Sequence, residues 1–169
     1  MKILVISDTH RSLKLAGEAI KDHLPADLLI HLGDFIEDGA DLARQFGIEF
    51  SGVRGNNDYS PGKNELELEL NGFRLLAVHG HYFEIDNDLE PLFEEARQRK
   101  VNLVLFGHNH KSGIYERDGI YLMNPGNLFL AEKENSLGVI ELNQGGMVLS
   151  IFNLKQGAFT DVRKIPGGS

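Results

Sequence analysis

Lys2-Ile3-Leu4-Val5-Ile6-Ser7-Asp8-Thr9-His10 opens the chain with an unbroken apolar run that stops abruptly at an Asp-x-His triplet. A strand apolar on both of its faces is one covered from both sides, which is the habit of α/β proteins. The run passes straight into Asp8 with no small-residue cleavage site, so it reads as a first strand rather than a secretion signal. The same pattern recurs further along the chain. Ser12 to His23 sets Leu13, Ala16, Ile20 and the following Leu24 at helical spacing. Leu28 to Leu32 is a second apolar run, Asp41 to Phe46 a short helix, and Ile48 to Val53 a third run ending at Arg54-Gly55. The order is β-α-β-α-β.

Beyond Pro61 hairpins enter. Glu65 to Leu70 alternates acidic and apolar residues, Asn71-Gly72 is a strong two-residue turn, and Phe73 to Val78 returns. Asp88 to Lys100 reads as a helix with Leu89, Leu92, Phe93 and Ala96 inward, and Val101 to Phe106 as a buried strand. Ile114 to Arg117 and Ile120 to Met123 flank Asp118-Gly119, while Leu137 to Leu142 and Met147 to Leu154 flank Gln144-Gly145-Gly146. The tail from about Arg163 is expected to fray. With 169 residues, a single domain over 1–169 is expected, and no apolar stretch is long enough to cross a bilayer. Seventeen basic against 25 acidic residues give a formal charge of −8, which disfavours duplex nucleic acid as a partner. The absence of cysteine excludes disulfides, thiolate metal sites and cysteine nucleophiles, so any metal site must use His, Asp, Glu and Asn.

Five of the seven histidines sit at or just past the ends of the apolar runs, where α/β folds place their sites. Asp8-Thr9-His10 follows the first run, Gly33-Asp34 the second and Gly55-Asn56-Asn57-Asp58 the third. His79-Gly80-His81 and Gly107-His108-Asn109-His110 follow the later ones. In Asp8-x-His10 and His108-x-His110 the two-residue spacing puts both side chains on one side of an extended backbone, so each pair can converge on a point. Each cluster alone has a plainer explanation: Asp8-x-His10 a capped strand-to-helix loop, Gly55 to Asp58 a turn, His31 a satisfied core histidine, His23 a cap on a helix C-terminus. Together, mixed carboxylate, amide and imidazole donors suit Mn, Fe, Zn, Co or Ni better than Ca.

Asp8-x-His10, Gly33-Asp34, Gly55-Asn56-x-Asp58, His79-Gly80-His81 and Gly107-His108-x-His110, in this order across nearly the whole chain, resemble the calcineurin-like metallophosphoesterases, in particular their small bacterial and archaeal phosphodiesterase branch. The resemblance implies an α/β fold of four αββα layers, two mixed β-sheets flanked by helices. It implies one metal held by Asp8, His10, Asp34 and His110 and a second held by Asp34, Asn56, His79 and His108, with Asp34 as the bridge. The ions would be two divalent cations, Mn first, with Fe, Zn, Ni, Co or Mg as alternatives, sharing a hydroxide that attacks phosphorus. Asn56, Asn57, Asp58 and His81 are the candidate catalytic residues beside them.

Two departures from the family pattern stand out. Asn57 occupies a position where the family commonly carries a proton-delivering histidine, and Asn124-Pro125-Gly126-Asn127 replaces a hydroxyl by an amide in an N-P-G-S loop. Without a general acid at Asn57, good leaving groups are favoured, unless water or His81 supplies the proton. The expected activity is hydrolysis of small phosphate diesters in the cytoplasm, with no membrane partner. Exposed hairpin edges permit self-association as a dimer or tetramer. The rival expectation is a catalytically silent member of the same fold acting as a protein-interaction scaffold; such scaffolds are expected to lose metal ligands, and here every ligand position is filled.

Overall fold

The computed structural model describes residues 1–167. In chain order the elements are β1 (Lys2–Ile6), α1 (Leu13–Lys21), β2 (Leu28–His31), α2 (Ile36–Phe46), β3 (Glu49–Gly52), β4 (Glu65–Leu70), β5 (Phe73–Val78), α3 (Glu90–Arg99), β6 (Leu103–Leu105), β7 (Gly113–Arg117), β8 (Ile120–Asn124), β9 (Ser136–Asn143), β10 (Gly146–Asn153) and β11 (Ala158–Pro166). The strands form two mixed sheets. One has the order β11-β10-β9-β1-β2-β3 and the other β4-β5-β6-β8-β7. In the first, β1, β2 and β3 run parallel and β9 joins β1 antiparallel; in the second, β5, β6 and β8 run parallel with antiparallel β4 and β7 at the edges.

Strand alternation explains the layering. Ile3 and Val5 of β1 and Leu28 and Ile30 of β2 point to one side, where they meet Leu75, Ala77, Leu103 and Leu105 of the other sheet. Leu4, Ile6 and Leu29 point to the opposite side and pack under Ala16, Ile20, Leu42 and Ala43 of α1 and α2. On the second sheet Leu76, Val78, Val104 and Phe106 face outward onto Leu92, Phe93 and Ala96 of α3. The result is the four-layer αββα arrangement, two helices on one sheet and one on the other. Each of the buried Leu, Ile, Val and Phe side chains among these contributes ~1.5–3 kcal/mol relative to exposure. At the edge, β4 turns Leu66, Leu68 and Leu70 toward the core and leaves Glu65 and Glu67 outside, where Arg99 bridges them. No helix among the described residues is long and apolar enough to cross a membrane.

The β4–β5 and β7–β8 hairpins fall where the Asn71-Gly72 and Asp118-Gly119 turns predict, with positive φ at both central residues of each turn. Elsewhere the structure corrects the reading. Helix α2 begins at Ile36, five residues before the expected Asp41. Its entry is built by left-handed Asp34 and Phe35 and by Asp58, whose Oδ1 accepts the Ile36 N–H at 2.8 Å. A cap supplied from 22 residues away leaves no local sequence signal. The tail expected to fray from about Arg163 is instead part of β11, which pairs with β10 from Gly146↔Pro166 through Leu149↔Arg163 and onward. Phe159 and Val162 remain exposed on this edge strand, so it lacks the apolar pattern of a core strand. Gly168 and Ser169 lie outside the described residues.

Candidate metal centre

Every expected ligand lies just beyond the carboxyl end of a strand. Asp8 and His10 follow β1, Asp34 follows β2, Asn56 follows β3, His79 follows β5, and His108 and His110 follow β6. Because β1, β2 and β3 run parallel in one sheet and β5 and β6 in the other, five strand ends open at one rim of the sandwich.

The ligand segments are not extended, as the two-residue spacing had suggested. Asp8, His10, Asp34, His108 and His110 all have left-handed backbones, with φ between 45° and 73°. A left-handed backbone costs a non-glycine residue ~1–2 kcal/mol, and such residues collect where function requires them. The kinked backbone keeps Asp8 and His10 together but sends His108 and His110 to different neighbours. The His110 ring lies 5.7 Å from that of His10, and the His108 ring 5.1 Å from that of His79. Glycine lets the strand ends approach this closely. A Cβ on Gly33, which has φ +103°, would stand 2.5 Å from the Gly55 nitrogen and 2.7 Å from His79 Nδ1, and one on Gly55 would overlap the Asp34 carboxylate.

Two groups of donor atoms result. Asp8, His10 and His110 bring ligand atoms within 4.8 Å of one another, and so do Asp8, Asp34 and His79. Asp8 is common to both groups, and Asp34 of the second also reaches toward the first, with Oδ2 3.7 Å from His10 Nε2 and Oδ1 3.4 Å from His79 Nε2. His79 Nδ1 donates to the Leu32 carbonyl at 2.7 Å, so in the neutral ring, the form that ligates a metal, Nε2 carries a lone pair. That lone pair faces Asn56 Oδ1 at 3.1 Å and Asp34 Oδ1 at 3.4 Å, so three acceptors converge with no proton to share. His10 Nε2 is likewise buried without a hydrogen-bond partner among the described residues, and Asp8 Oδ1 has only the 3.3 Å contact with His110 Nε2. Buried acceptors facing one another are costly unless something positive lies between them. The donor set therefore fits divalent cations.

Electrostatics point the same way. Burial alone would raise the Asp8 carboxyl, but the contact with His110, the neighbouring His79 ring and the Ser7 hydroxyl outweigh it and hold Asp8 below the usual carboxylate range. His110 is raised, chiefly by Asp8 Oδ1 3.3 Å from its Nε2, with burial opposing and Glu132 adding to the rise. His81 is lowered by burial and by its neighbours His79 and His108.

The remaining candidates divide by what they touch. Asn57 donates its backbone N–H to Asp34 Oδ1 at 2.9 Å and its amide to Asp34 Oδ2 at 2.6 Å, so it grips the central carboxylate. Asp58 is committed to backbone: its oxygens accept the N–H groups of Asp34, Gly55 and Ile36 at 2.8–2.9 Å. That makes it a positioning residue that fixes Asp34, rather than a group poised for substrate. His81 stacks on Tyr82 with ring centres 3.8 Å apart and lies 5.3 Å from the His79 ring, its Nδ1 unpartnered.

Several contributors carry no motif. Ser7 bonds Asp8 Oδ2, and Glu132 places Oε1 3.6 Å from His110 Nδ1, the kind of contact that orients a ligating imidazole. Phe35 and Phe129 pack against the His10 ring at 5.1 and 4.8 Å. Ser7 is detectable by adjacency to Asp8; Glu132 and Phe129 lie 22 and 19 residues beyond His110 and His110 alone gives no hint of them.

A mixed two-sheet sandwich with histidines and aspartates gathered at one rim defines a class of metal-centred α/β proteins. Comparison identifies the class: the chain belongs to the calcineurin-like phosphoesterase superfamily, whose domain model matches residues 1–145. A probable metallophosphoesterase of Mycoplasma genitalium is 33% identical over 143 residues, covering 80% of this chain and 82% of that protein. The phosphodiesterase MJ0936 of Methanocaldococcus jannaschii is 26% identical over 146 residues, covering 75% of this chain and 83% of that protein. Among solved structures, Vps29 of Entamoeba histolytica in complex with Zn²⁺ superposes with a TM-score of 0.78 at 23% identity, over 99% of this chain and all of that one. The family is one of phosphoric ester hydrolases that use divalent metals.

Proposed function

We propose that the chain is a phosphodiesterase for small phosphate diesters, working with two divalent cations, Mn²⁺ foremost. Asp8, His10, Asp34 and His110 would hold one cation, and Asp34, Asn56, His79 and His108 the other. The observation that carries this reading is the convergence of His79 Nε2 on Asn56 Oδ1 at 3.1 Å and Asp34 Oδ1 at 3.4 Å, a donor set that a cation would satisfy. Bound there, divalent ions would neutralise phosphoryl charge and acidify water. The protein's own part is to place and to exclude. Asp58 and Asn57 hold Asp34 from its backbone and its carboxylate sides. Asn56, exposed at the rim, keeps its amide N–H free to bind a phosphoryl oxygen. His81, half-buried beside His79, has its Nδ1 without a hydrogen-bond partner among the described residues and is placed to hydrogen-bond the substrate. Nothing in Gly55–Asp58 can deliver a proton, because Asn57 does not titrate and Asp58 is spent on three N–H groups. That favours diesters with good leaving groups.

The phosphodiesterase name of the M. jannaschii relative supports this choice over monoester hydrolysis. Vps29 of Entamoeba histolytica, which shares the fold, has been solved with Zn²⁺, and it is turnover rather than metal binding that separates an esterase from a scaffold. The test is hydrolysis of bis(p-nitrophenyl) phosphate by chelator-stripped protein with and without Mn²⁺. Mn²⁺-dependent turnover that Asp34→Ala abolishes is expected. Metal uptake without turnover would favour the scaffold, and unchanged metal content in Asp34→Ala would overturn the ligand assignment.

A further inference from the structure

We propose that the buried chain of hydrogen bonds Gly33–His31–Thr9–Asp38 is the positioning device of the metal centre, locking the two turns that present Asp8, His10 and Asp34. The proposal rests on the reading of those three residues as metal ligands. None of its own side chains is a candidate ligand. His31 ends β2 fully buried, and its Nδ1 accepts the N–H of Gly33, the residue before Asp34, at 3.1 Å. With Nδ1 filled, the ring proton sits on Nε2 and is directed to Thr9 Oγ1 at 3.1 Å. Burial pushes His31 down to about 4, only partly opposed by Asp8, Asp58 and Asp38, so the ring is neutral at pH 7 and has one proton to give. Thr9 in turn donates a hydrogen bond from its hydroxyl to Asp38 Oδ2 at 2.7 Å.

The far end of the chain closes on the same loop. Asp38, also fully buried, accepts the Arg11 N–H on that Oδ2 at 2.9 Å and faces the Arg11 guanidinium with Oδ1 at 3.4 Å. One carboxylate in the first turn of α2 thus grips both neighbours of His10. Asp8, His10 and Arg11 on this loop, and Asp34 and Phe35 on the other, all have positive φ, a shape that local preference does not maintain. The fit is close: a Cβ on Gly39 would lie 2.9 Å from His31 Cβ and Cδ2. If the loops populate other backbones when the clamp is cut, the binding-competent fraction falls and apparent metal affinity falls with it.

Thr9→Val preserves side-chain shape and removes the hydroxyl; Thr9→Ser keeps it. Full-length chelator-stripped proteins are titrated calorimetrically with Mn²⁺ and melted in EDTA. Thr9→Val is expected to bind Mn²⁺ about 10–100-fold more weakly while still folded at the titration temperature, and Thr9→Ser to stay within about threefold of the parent. Affinity in Thr9→Val equal to the parent, or a loss in Thr9→Ser equal to that in Thr9→Val, overturns the proposal. So does a loss accounted for by unfolding in the EDTA melts. Should Thr9→Val not fold, Asp38→Asn takes its place with the same expectation of weakened Mn²⁺ binding. A parent that binds no Mn²⁺ overturns the ligand reading and this inference together; a parent that binds beside an unaffected variant overturns this inference alone.

Discussion

Acidification below pH 6.5 should destabilise the metal-free protein through His31. In the unfolded chain this histidine titrates near 6.5, whereas in the fold burial pushes it down to about 4. Between those values the unfolded state binds a proton that the native state refuses, so stability is complete above pH 6.5 and drains away as pH falls toward 4. Linkage puts the loss between pH 7 and pH 4.5 at about 2.5 kcal/mol for this one group, taking 1.36 kcal/mol per pKa unit. With a urea slope of about 2 kcal/mol/M the unfolding midpoint should drop by about 1 M. The assay is urea unfolding in EDTA at half-unit pH steps, for the parent and for His31→Asn. The asparagine oxygen can still take the Gly33 N–H, but the group no longer titrates. The void it leaves lowers stability at every pH, so the prediction concerns the slope. His110, raised in the fold, acts with the opposite sign, since its contribution is present below 6.5 and is lost as pH rises; it is common to both proteins and cancels. Parallel pH profiles for parent and variant would refute the reasoning, because they would mean that His31 accepts a proton in the fold as readily as in the unfolded chain.

Asn57→His should raise turnover of an unactivated diester more than that of a p-nitrophenyl diester, by a factor within the ~10²–10⁴ range of general acid catalysis, as read from paired kcat/KM values; an equal or smaller gain on the unactivated ester counts against the leaving-group argument. Gly55→Ala should cost Mn²⁺ affinity far more than the modest backbone change suggests, because the new methyl would overlap the Asp34 carboxylate. Calorimetric titration checks it, and an unaltered affinity would show that Asp34 is free to shift.

How much of this could be read beforehand depended on how local each cause is. The β4–β5 hairpin was legible to the residue, since the Glu-Leu alternation of Glu65 to Leu70 and the Asn71-Gly72 turn that follows it state register and turn in one unbroken stretch. The rim was legible because each polar cluster interrupts an apolar run. What stayed hidden depends on contacts between distant segments. The first turn of α2 is capped by Asp58, β11 turns mostly toward solvent, and the left-handed backbones of Asp8 and His10 depend on Thr9 and Asp38, 29 residues apart. His31 shows the limit well. Its apolar surroundings announce a satisfied core histidine, but not that its partners are Thr9 and Gly33. Likewise the spacing of His108 and His110 suggested one shared point, whereas the turn at Gly107 divides them between His79 and His10.

Crystals grown with Mn²⁺ and measured at the manganese absorption edge test the central claim most directly. Two anomalous peaks about 3.5–4 Å apart are predicted, one on each side of the Asp34 carboxylate, with His10 and His110 around the first and His79 and His108 around the second. A map with no peak at that rim, or with manganese bound only elsewhere on the molecule, would contradict the account.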